Sequence, residues 1–327
     1  MNISSAKDLK IVFLGTPDFA THILRRLVET EHNIVATVTM PDKPAGRGHK
    51  LQPSSVKMYA VEQGIRVLQP ERLKDEVFLS ELRSLQADLF IVVAFRMLPE
   101  EIWAMPPRGT FNLHASLLPK YRGAAPIQHA ILNGESVTGA TTFFLDKEID
   151  TGRVLMRQEV PLAPNETAGT LHDKLMEIGA ELVVKTVDLI ATNKEVHSTP
   201  QMEMCENIAQ LPTAPKIFKE DRLLSFSSSI AIEIDRRIRA MSPYPTAIAR
   251  WEMSDGAFVE VKVFDAELIN ATQCLPAGKI QASKEGILIG TKEGDILLKT
   301  IQLPSKRPIP AKDLVNGFDL ATIVKVH

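Results

Sequence analysis

The sequence is poor in cysteine. Only Cys205 and Cys274 occur among 327 residues, far apart and with no histidine or cysteine at ligand spacing, so neither a zinc site nor a disulfide framework is expected. A reduced, cytoplasmic compartment fits. Excess charge is lacking too: a formal net charge of −2 excludes global attraction to nucleic acid, and any RNA contact has to come from a local basic patch. No apolar run approaches the roughly 18 residues of a membrane span, and the polar N-terminal stretch has no signal-peptide core. Neither a membrane partner nor export is expected. Internal repeats and low-complexity segments are absent. Glycine excludes one more class, because Gly15-Thr-Pro-Asp18 offers a single glycine where a dinucleotide fingerprint needs three, and an NAD site is rejected.

What is present is ordinary globular material, 44% hydrophobic and 24% charged. At this length two domains are expected rather than one core. Residues 10–14 read as a buried parallel strand, and residues 19–30 carry helical apolar spacing at Phe19, Ile23, Leu24 and Leu27. Strands at 33–40, 66–68, 88–95 and 110–115 then alternate with helices at 54–63, 76–85 and 100–105. This alternation predicts an α/β fold with a Rossmann-like, mostly parallel sheet and helices on both faces. Such sheets place ligands beyond the carboxyl ends of their strands, so Arg96, Met97 and Leu98 are expected to face the same cleft as His114. A helix at 126–132, strands at 141–145 and 154–160, and an amphipathic helix at 171–192 follow. Residues 195–220 are broken by prolines and lack periodicity, which predicts a linker. Beyond a helix at 230–240, short strands at 247–251, 259–264, 278–282, 287–290 and 296–302 with glycine turns predict a small β-barrel. The expected organisation is a first domain at 1–194, the linker, and a second domain at 221–327.

Within Thr110-Phe-Asn-Leu-His-Ala115, Asn112 and His114 share one face of a strand because successive side chains alternate, with Phe111 and Leu113 opposite. An amide and an imidazole at a strand end, before a turn closed by Pro119 and a helix starting near Ala125, can stabilise an oxyanion and move a proton. Alone, the pair reads equally well as buried polar residues satisfied by backbone. Its continuation changes that reading: Tyr121-Arg-Gly-Ala-Ala-Pro-Ile-Gln128 and then Leu145-Asp-Lys-Glu-Ile-Asp-Thr-Gly152. With these in fixed order the chain resembles the 10-formyltetrahydrofolate-dependent formyltransferases, most closely the branch acting on methionyl-tRNA.

The resemblance implies that Asn112, His114 and Asp150 form the catalytic set. Asp150 is preferred over Asp146 because it precedes Thr-Gly, and it would orient His114 or a bridging water. Ser116, Leu117, Leu118 and Pro119, with Arg96, Met97 and Leu98, are implied to hold the folate. The co-substrate would be 10-formyltetrahydrofolate, without a metal, and the acceptor initiator methionyl-tRNA. The barrel would be OB-like and bind tRNA. Residues 41–50, a loop by composition, carry the basic Lys43, Arg47, His49 and Lys50; the resemblance implies that this loop enters the acceptor stem, with Arg47 as main reader. Lys216 and Lys219 match a lysine-containing linker of the same branch. A monomer is expected.

Two departures from the family pattern stand out. Ala94-Phe-Arg-Met-Leu-Pro99 replaces an Ala-Tyr-Gly before Ile-Leu-Pro and is one residue shorter, and Glu148 stands where glycine is common. Arg122 is expected either to position substrate or to be solvated on a turn, while His22, His129 and His172 read as structural. A related enzyme acting on an amino-sugar nucleotide or a glycinamide ribonucleotide, or a folate- or RNA-binding module without catalysis, would compete with this reading.

Overall fold

Ile11, Val12, Phe13 and Leu14 have no exposed surface, as an unbroken apolar run requires of a strand covered on both faces. In the computed structural model, which describes residues 6–45, 50–269, 274–315 and 318–327, they form β1 (Ile11–Gly15), an interior strand of a seven-stranded sheet. Then come α1 (Asp18–Glu29), β2 (Ile34–Val38), β3 (Lys43–Ala45), β4 (Lys50–Gln52), α2 (Ser55–Glu62) and β5 (Val67–Leu68). They lead to α3 (Glu76–Ser84), β6 (Leu89–Val93), α4 (Glu100–Trp103), β7 (Thr110–His114), α5 (Pro126–Leu132), β8 (Val137–Phe144), β9 (Val154–Pro161) and α6 (Ala168–Thr192). The chain divides into two units, one of Met1–Gly123, Val137–Pro161 and His172–Thr213, the other of Ala124–Ser136, Leu162–Leu171 and Ala214–His327.

The sheet of the first unit runs β5-β2-β1-β6-β7-β8-β9. Its first five strands are parallel, and β8 and β9 close it antiparallel. The expected α/β architecture is present. The direction in which strands are added reverses between β1 and β6, so the crevice at their carboxyl ends is where such a sheet takes ligands. Phe19, Ala20, Ile23, Leu24 and Leu27 are the buried stripe of α1, and its helical period follows from packing one face on the sheet. Ser54 and Asp75 cap α2 and α3 by accepting from the backbone N–H groups of Lys57 and Phe78, which is why those helices start where they do.

Two local expectations fail. Residues 41–50, expected as a loop, contain β3, which pairs with β4 as an antiparallel hairpin, Lys43 opposite Gln52 and Pro44 opposite Leu51. Pro44 concealed this strand, yet a two-stranded ribbon has only edges and tolerates it. Strand β8 begins four residues before the expected 141, because its residues are buried on both faces and show no alternation.

The second unit contains α7 (Ala231–Met241) and the strands β10 (Ala247–Met253), β11 (Phe258–Ile269), β12 (Ile280–Ala282), β13 (Ile287–Gly290) and β14 (Asp295–Gln302). It ends with β15 (Ile309–Pro310), α8 (Ala311–Val315) and β16 (Ile323–Val326). The order β12-β13-β14-β11-β10-β16, with β15 on β14 and the ends meeting through Val326 N–H donating to the Gly278 carbonyl at 2.9 Å, makes the expected small barrel nearly closed. Its core is Trp251, Phe226, Val261, Val263, Ile289 and Ile301, all fully buried. Strands β15 and β16 were not foreseen, being too short to show a period.

Gly139 in β8 has no room for a side chain: an added Cβ would lie 2.1 Å from the Gln158 carbonyl oxygen of β9 and 2.6 Å from Leu117 Cδ2. Gly139→Ala must therefore push β8 off its neighbours, and it is expected to destabilise this unit by about 1–3 kcal/mol. Urea unfolding checks this as a lower midpoint at unchanged slope; an unchanged midpoint would mean that the strands yield freely.

Candidate active site

Strand β7 delivers the two polar residues singled out in the sequence. It lies between the parallel β6 and the antiparallel β8, with Val93 opposite Leu113 and Thr141 opposite His114. The segments leaving β6 and β7 therefore emerge side by side at the carboxyl edge of the sheet. Phe111 and Leu113 are buried, Asn112 is half-buried, and His114 is 6% exposed. The His114 Nε2 atom lies 2.9 Å from the Tyr121 carbonyl oxygen. Since a carbonyl only accepts, Nε2 carries the hydrogen and donates it. That leaves Nδ1 facing Asp150, with Oδ2 at 3.8 Å, a charge contact longer than a hydrogen bond. The Phe143 ring meets the imidazole edge-on, centroids 6.4 Å apart at 89°.

Asp150 sits in the loop between β8 and β9, in the left-handed region at φ 57°. Its Oδ2 accepts from the Gly123 N–H at 2.9 Å. Asp146 shapes the loop instead of facing the histidine. Its Oδ1 accepts from the Glu148 N–H at 3.1 Å and from the Thr151 hydroxyl at 2.6 Å, an Asx-type turn. Gly152 ends the loop, and any Cβ there would lie 1.7 Å from the Phe144 carbonyl oxygen. The third hold on the loop was not foreseen. Gln201, 2% exposed, donates from Nε2 to the carbonyl oxygens of Asp150 and Gly152, both at 2.8 Å. Its Oε1 accepts from Arg122 Nε at 3.0 Å and Nη2 at 2.7 Å. Arg122 is thus half-buried and tied to a buried partner instead of free to roam. Burial pulls its guanidinium below the usual arginine range, against the opposing pull of Asp150, Cys205, Asp146 and Glu148. Gln201 is seated because Thr199 pairs with Val154 in both directions at 2.8 Å and Arg153 bonds Ser198.

The expected folate-holding residues divide by burial. Ser116 is wholly buried and its hydroxyl donates to the Lys120 carbonyl at 2.7 Å. Leu118 packs with Phe143 and Val154, its N–H donating to Thr141 Oγ1 at 3.1 Å. Pro119 is buried as well, so Leu117, half-buried, is the one side chain of this turn with exposed surface. On the neighbouring segment, Arg96 donates to the carbonyls of Pro70 at 2.5 Å and Glu71 at 2.9 Å, and Leu98 belongs to the core. Met97 is 68% exposed. Of the expected RNA contacts, Lys43 is exposed at the start of β3 and Lys50 opens β4, while Arg47 and His49 lie outside the described residues. In the second unit Lys216 Nζ stands 5.6 Å from the centre of the Phe218 ring, and Lys219 pairs with Glu260 at 3.5 Å.

Two cavities, of about 610 and 290 Å³, are lined by neither Asn112, His114 nor Asp150; the larger lies at the amino-terminal edge of β6, against Asp88 and Glu100. Among the described residues no group of three or more His, Cys, Asp or Glu side chains is placed to hold a metal ion. No helix there is long and apolar enough to cross a membrane.

Residues 9–187 match the family described as Formyl transferase, and residues 216–319 the one described as Formyl transferase, C-terminal domain. The methionyl-tRNA formyltransferase of Bacteroides thetaiotaomicron is 48% identical over 322 residues, 98% of this chain and 99% of its own. That of Parabacteroides distasonis is 49% identical over 314 residues, 95% of this chain and 96% of its own. Among solved structures, HypX of Aquifex aeolicus in complex with tetrahydrofolic acid aligns with a TM-score of 0.64 at 20% identity. That alignment covers 96% of this chain and 48% of HypX, so the chain spans about half of it, and the likeness is one of fold. Matched nearly end to end at 48% and 49% identity by these two relatives, the chain belongs to the methionyl-tRNA formyltransferase family.

Proposed function

We propose that the protein transfers the formyl group from N10 of 10-formyltetrahydrofolate to the α-amino group of methionine on initiator methionyl-tRNA, for translation initiation. The observation that carries this reading is the approach of Asp150, from the loop between β8 and β9, to within 3.8 Å of His114 on the strand that also presents Asn112. The methionine nitrogen attacks the formyl carbon, forming a C–N bond and a tetrahedral oxyanion; the bond to N10 then breaks, and the proton lost by the amine ends on N10. No covalent enzyme intermediate is needed. The Asn112 amide donates to the oxyanion without changing charge. Because Nε2 of His114 is committed to the Tyr121 carbonyl, Nδ1 is its proton-exchanging atom. At 3.8 Å the Nδ1 and Oδ2 atoms can share one water or substrate atom, and the Asp150 charge favours the imidazolium that forms in transit.

Met97 and Leu117, at the ends of neighbouring strands, offer apolar surface to the folate ring system. Ser116, Leu118, Pro119, Arg96 and Leu98 support that surface from behind. Residues 1–194 carry the chemistry, 195–220 connect while supplying Gln201 to the loop that holds Asp150, and 221–327 bind tRNA. Lys43, His49, Lys50, Lys216 and Lys219 meet its backbone, and Arg47 reads the end of the acceptor stem. The enzyme acts as a monomer in the cytoplasm, and no step of the scheme calls on a metal.

The purified protein supplied with 10-formyltetrahydrofolate and a panel of amines is expected to formylate charged initiator tRNA and to leave amino-sugar nucleotides untouched. The reverse preference would overturn the assignment. His114→Asn should fold, bind folate and lose at least about 10²-fold in turnover, as removal of a positioned acid–base group does. Asp150→Ala should lose turnover comparably with KM little changed; full turnover in either folded variant sinks the scheme.

The major groove of regular RNA is too deep and narrow for side chains, but it opens at a helix end whose terminal pair is weak. Gly46 and Gly48, which carry no side chains, flank Arg47 in the sequence, so the arginine is the one side chain of this triplet that such an opening has to admit. Arg47→Ala should cut formylation of initiator tRNA, spare folate binding, and lower the salt slope by about one unit if a phosphate contact is lost. Equal activity and the same preference between weak and strong terminal pairs would remove this loop from recognition.

A further inference from the structure

Gln201 is a buried amide that the scheme above does not use, and its bonding leaves little choice of residue. An arginine only donates, so the side-chain oxygen of Gln201 must face Arg122, and its NH2 group must then face the carbonyls of Asp150 and Gly152. Both halves of the amide are saturated: two N–H groups of Arg122 on one side, at 3.0 and 2.7 Å, two carbonyls on the other, each at 2.8 Å. A glutamate of the same size would keep the Arg122 bonds but present an acceptor to two acceptors. The held segment needs holding, since Asp150 stands at φ 57°, a region that non-glycine residues occupy at a cost and keep only when their surroundings over-determine them. Gly152 meanwhile lies flat on the Phe144 carbonyl. On the opposite side, Gly123, next in sequence to Arg122, donates its N–H to the Asp150 carboxylate. Arg122 and Gly123 thus reach the same aspartate from two directions, one through Gln201 and one directly.

We infer that Gln201 is a positioning residue for the formyl transfer: with Arg122 it clamps the loop between β8 and β9 so that the Asp150 carboxylate stays at His114 Nδ1. The inference rests on the proposed role of Asp150. At 2% exposure Gln201 does not meet substrate itself, so its whole effect passes through the aspartate.

Gln201→Glu and Gln201→Met are the informative variants, the first retaining the Arg122 contact and losing both carbonyl contacts, the second losing all four. Each should lower kcat by about 10²-fold, the effect of displacing a reacting group by around an ångström, with KM for folate and tRNA little changed. Added to Asp150→Ala, neither should lower kcat further, because the clamp then holds nothing that reacts. A merely structural glutamine would lower the melting midpoint but leave kcat of the folded variant near wild type, and any loss it did cause would multiply onto that of Asp150→Ala. Wild-type kcat in a folded variant, a rise in KM alone, or losses that multiply in the double variant each overturn the clamp. Circular dichroism establishes which variants fold, and if one does not, the other decides. Low activity in Asp150→Ala with full activity in both Gln201 variants removes the clamp alone, whereas full activity in Asp150→Ala removes the reading of the site on which it rests.

Discussion

The hydrogen bond from His114 Nε2 to the Tyr121 carbonyl oxygen, 2.9 Å long, is the constraint from which the rest of the site follows. It selects the ring nitrogen that carries the fixed hydrogen and turns the other toward Asp150. For the carbonyl to reach back, the chain must reverse within seven residues of the strand end. The turn from Ser116 to Tyr121 does this, with Tyr121 at φ 61° and the Ser116 hydroxyl closed onto the Lys120 carbonyl. Thr141 of β8 then ties the turn to the sheet, donating to the Ser116 carbonyl at 2.7 Å and accepting from the Leu118 N–H. The burial of Ser116 and Leu118 therefore bears on the orientation of His114, since a turn that moved would carry the Tyr121 carbonyl with it.

Electrostatics supplies the second layer. Asp146, Glu148 and Asp150 crowd one short loop, and Arg122 is the guanidinium that feels all three. Half-burying an arginine is unfavourable unless its donors are used, and Gln201 uses them. The same amide passes the constraint on to the loop backbone as two neutral hydrogen bonds. The Asp150 carboxylate itself accepts from the Gly123 N–H and faces His114.

Much of this was legible in the sequence, and the illegible part shares a physical cause. The parallel strands are continuous apolar runs and α1 has a clean helical stripe, because burial on both faces or on one face writes a local period. Asn112 and His114 were legible for the same reason, two residues apart on a strand, and Asp150 through its Asp-Thr-Gly context. Gln201 was not, since its partners lie 79 and 51 positions away and its surroundings carry no period. The division of labour inside Ser116-Leu-Leu-Pro119 and Arg96-Met-Leu98 was likewise hidden: composition marks both segments as special, but only packing tells a supporting side chain such as Leu118 from an exposed one such as Met97. The hairpin β3–β4 was masked by Pro44, and β15 and β16 by their brevity.

The proposed chemistry and the proposed recognition use side chains in opposite physical regimes. His114 and Asp150 have side chains 7% and 13% exposed and are held by backbone carbonyls and N–H groups, which salt does not screen and which do not adjust. That is the regime in which a proton can be passed over a fixed distance. The lysines proposed to meet RNA are long, solvated and loosely tied: Lys219 is 64% exposed even while paired with Glu260, and Lys43 and Lys216 are exposed as well. In a chain of net charge −2 such groups supply binding that is local and sensitive to ionic strength. On the proposed reading, a large acceptor is captured and released by surface charge without disturbing the buried bonds that hold His114 and Asp150 in place.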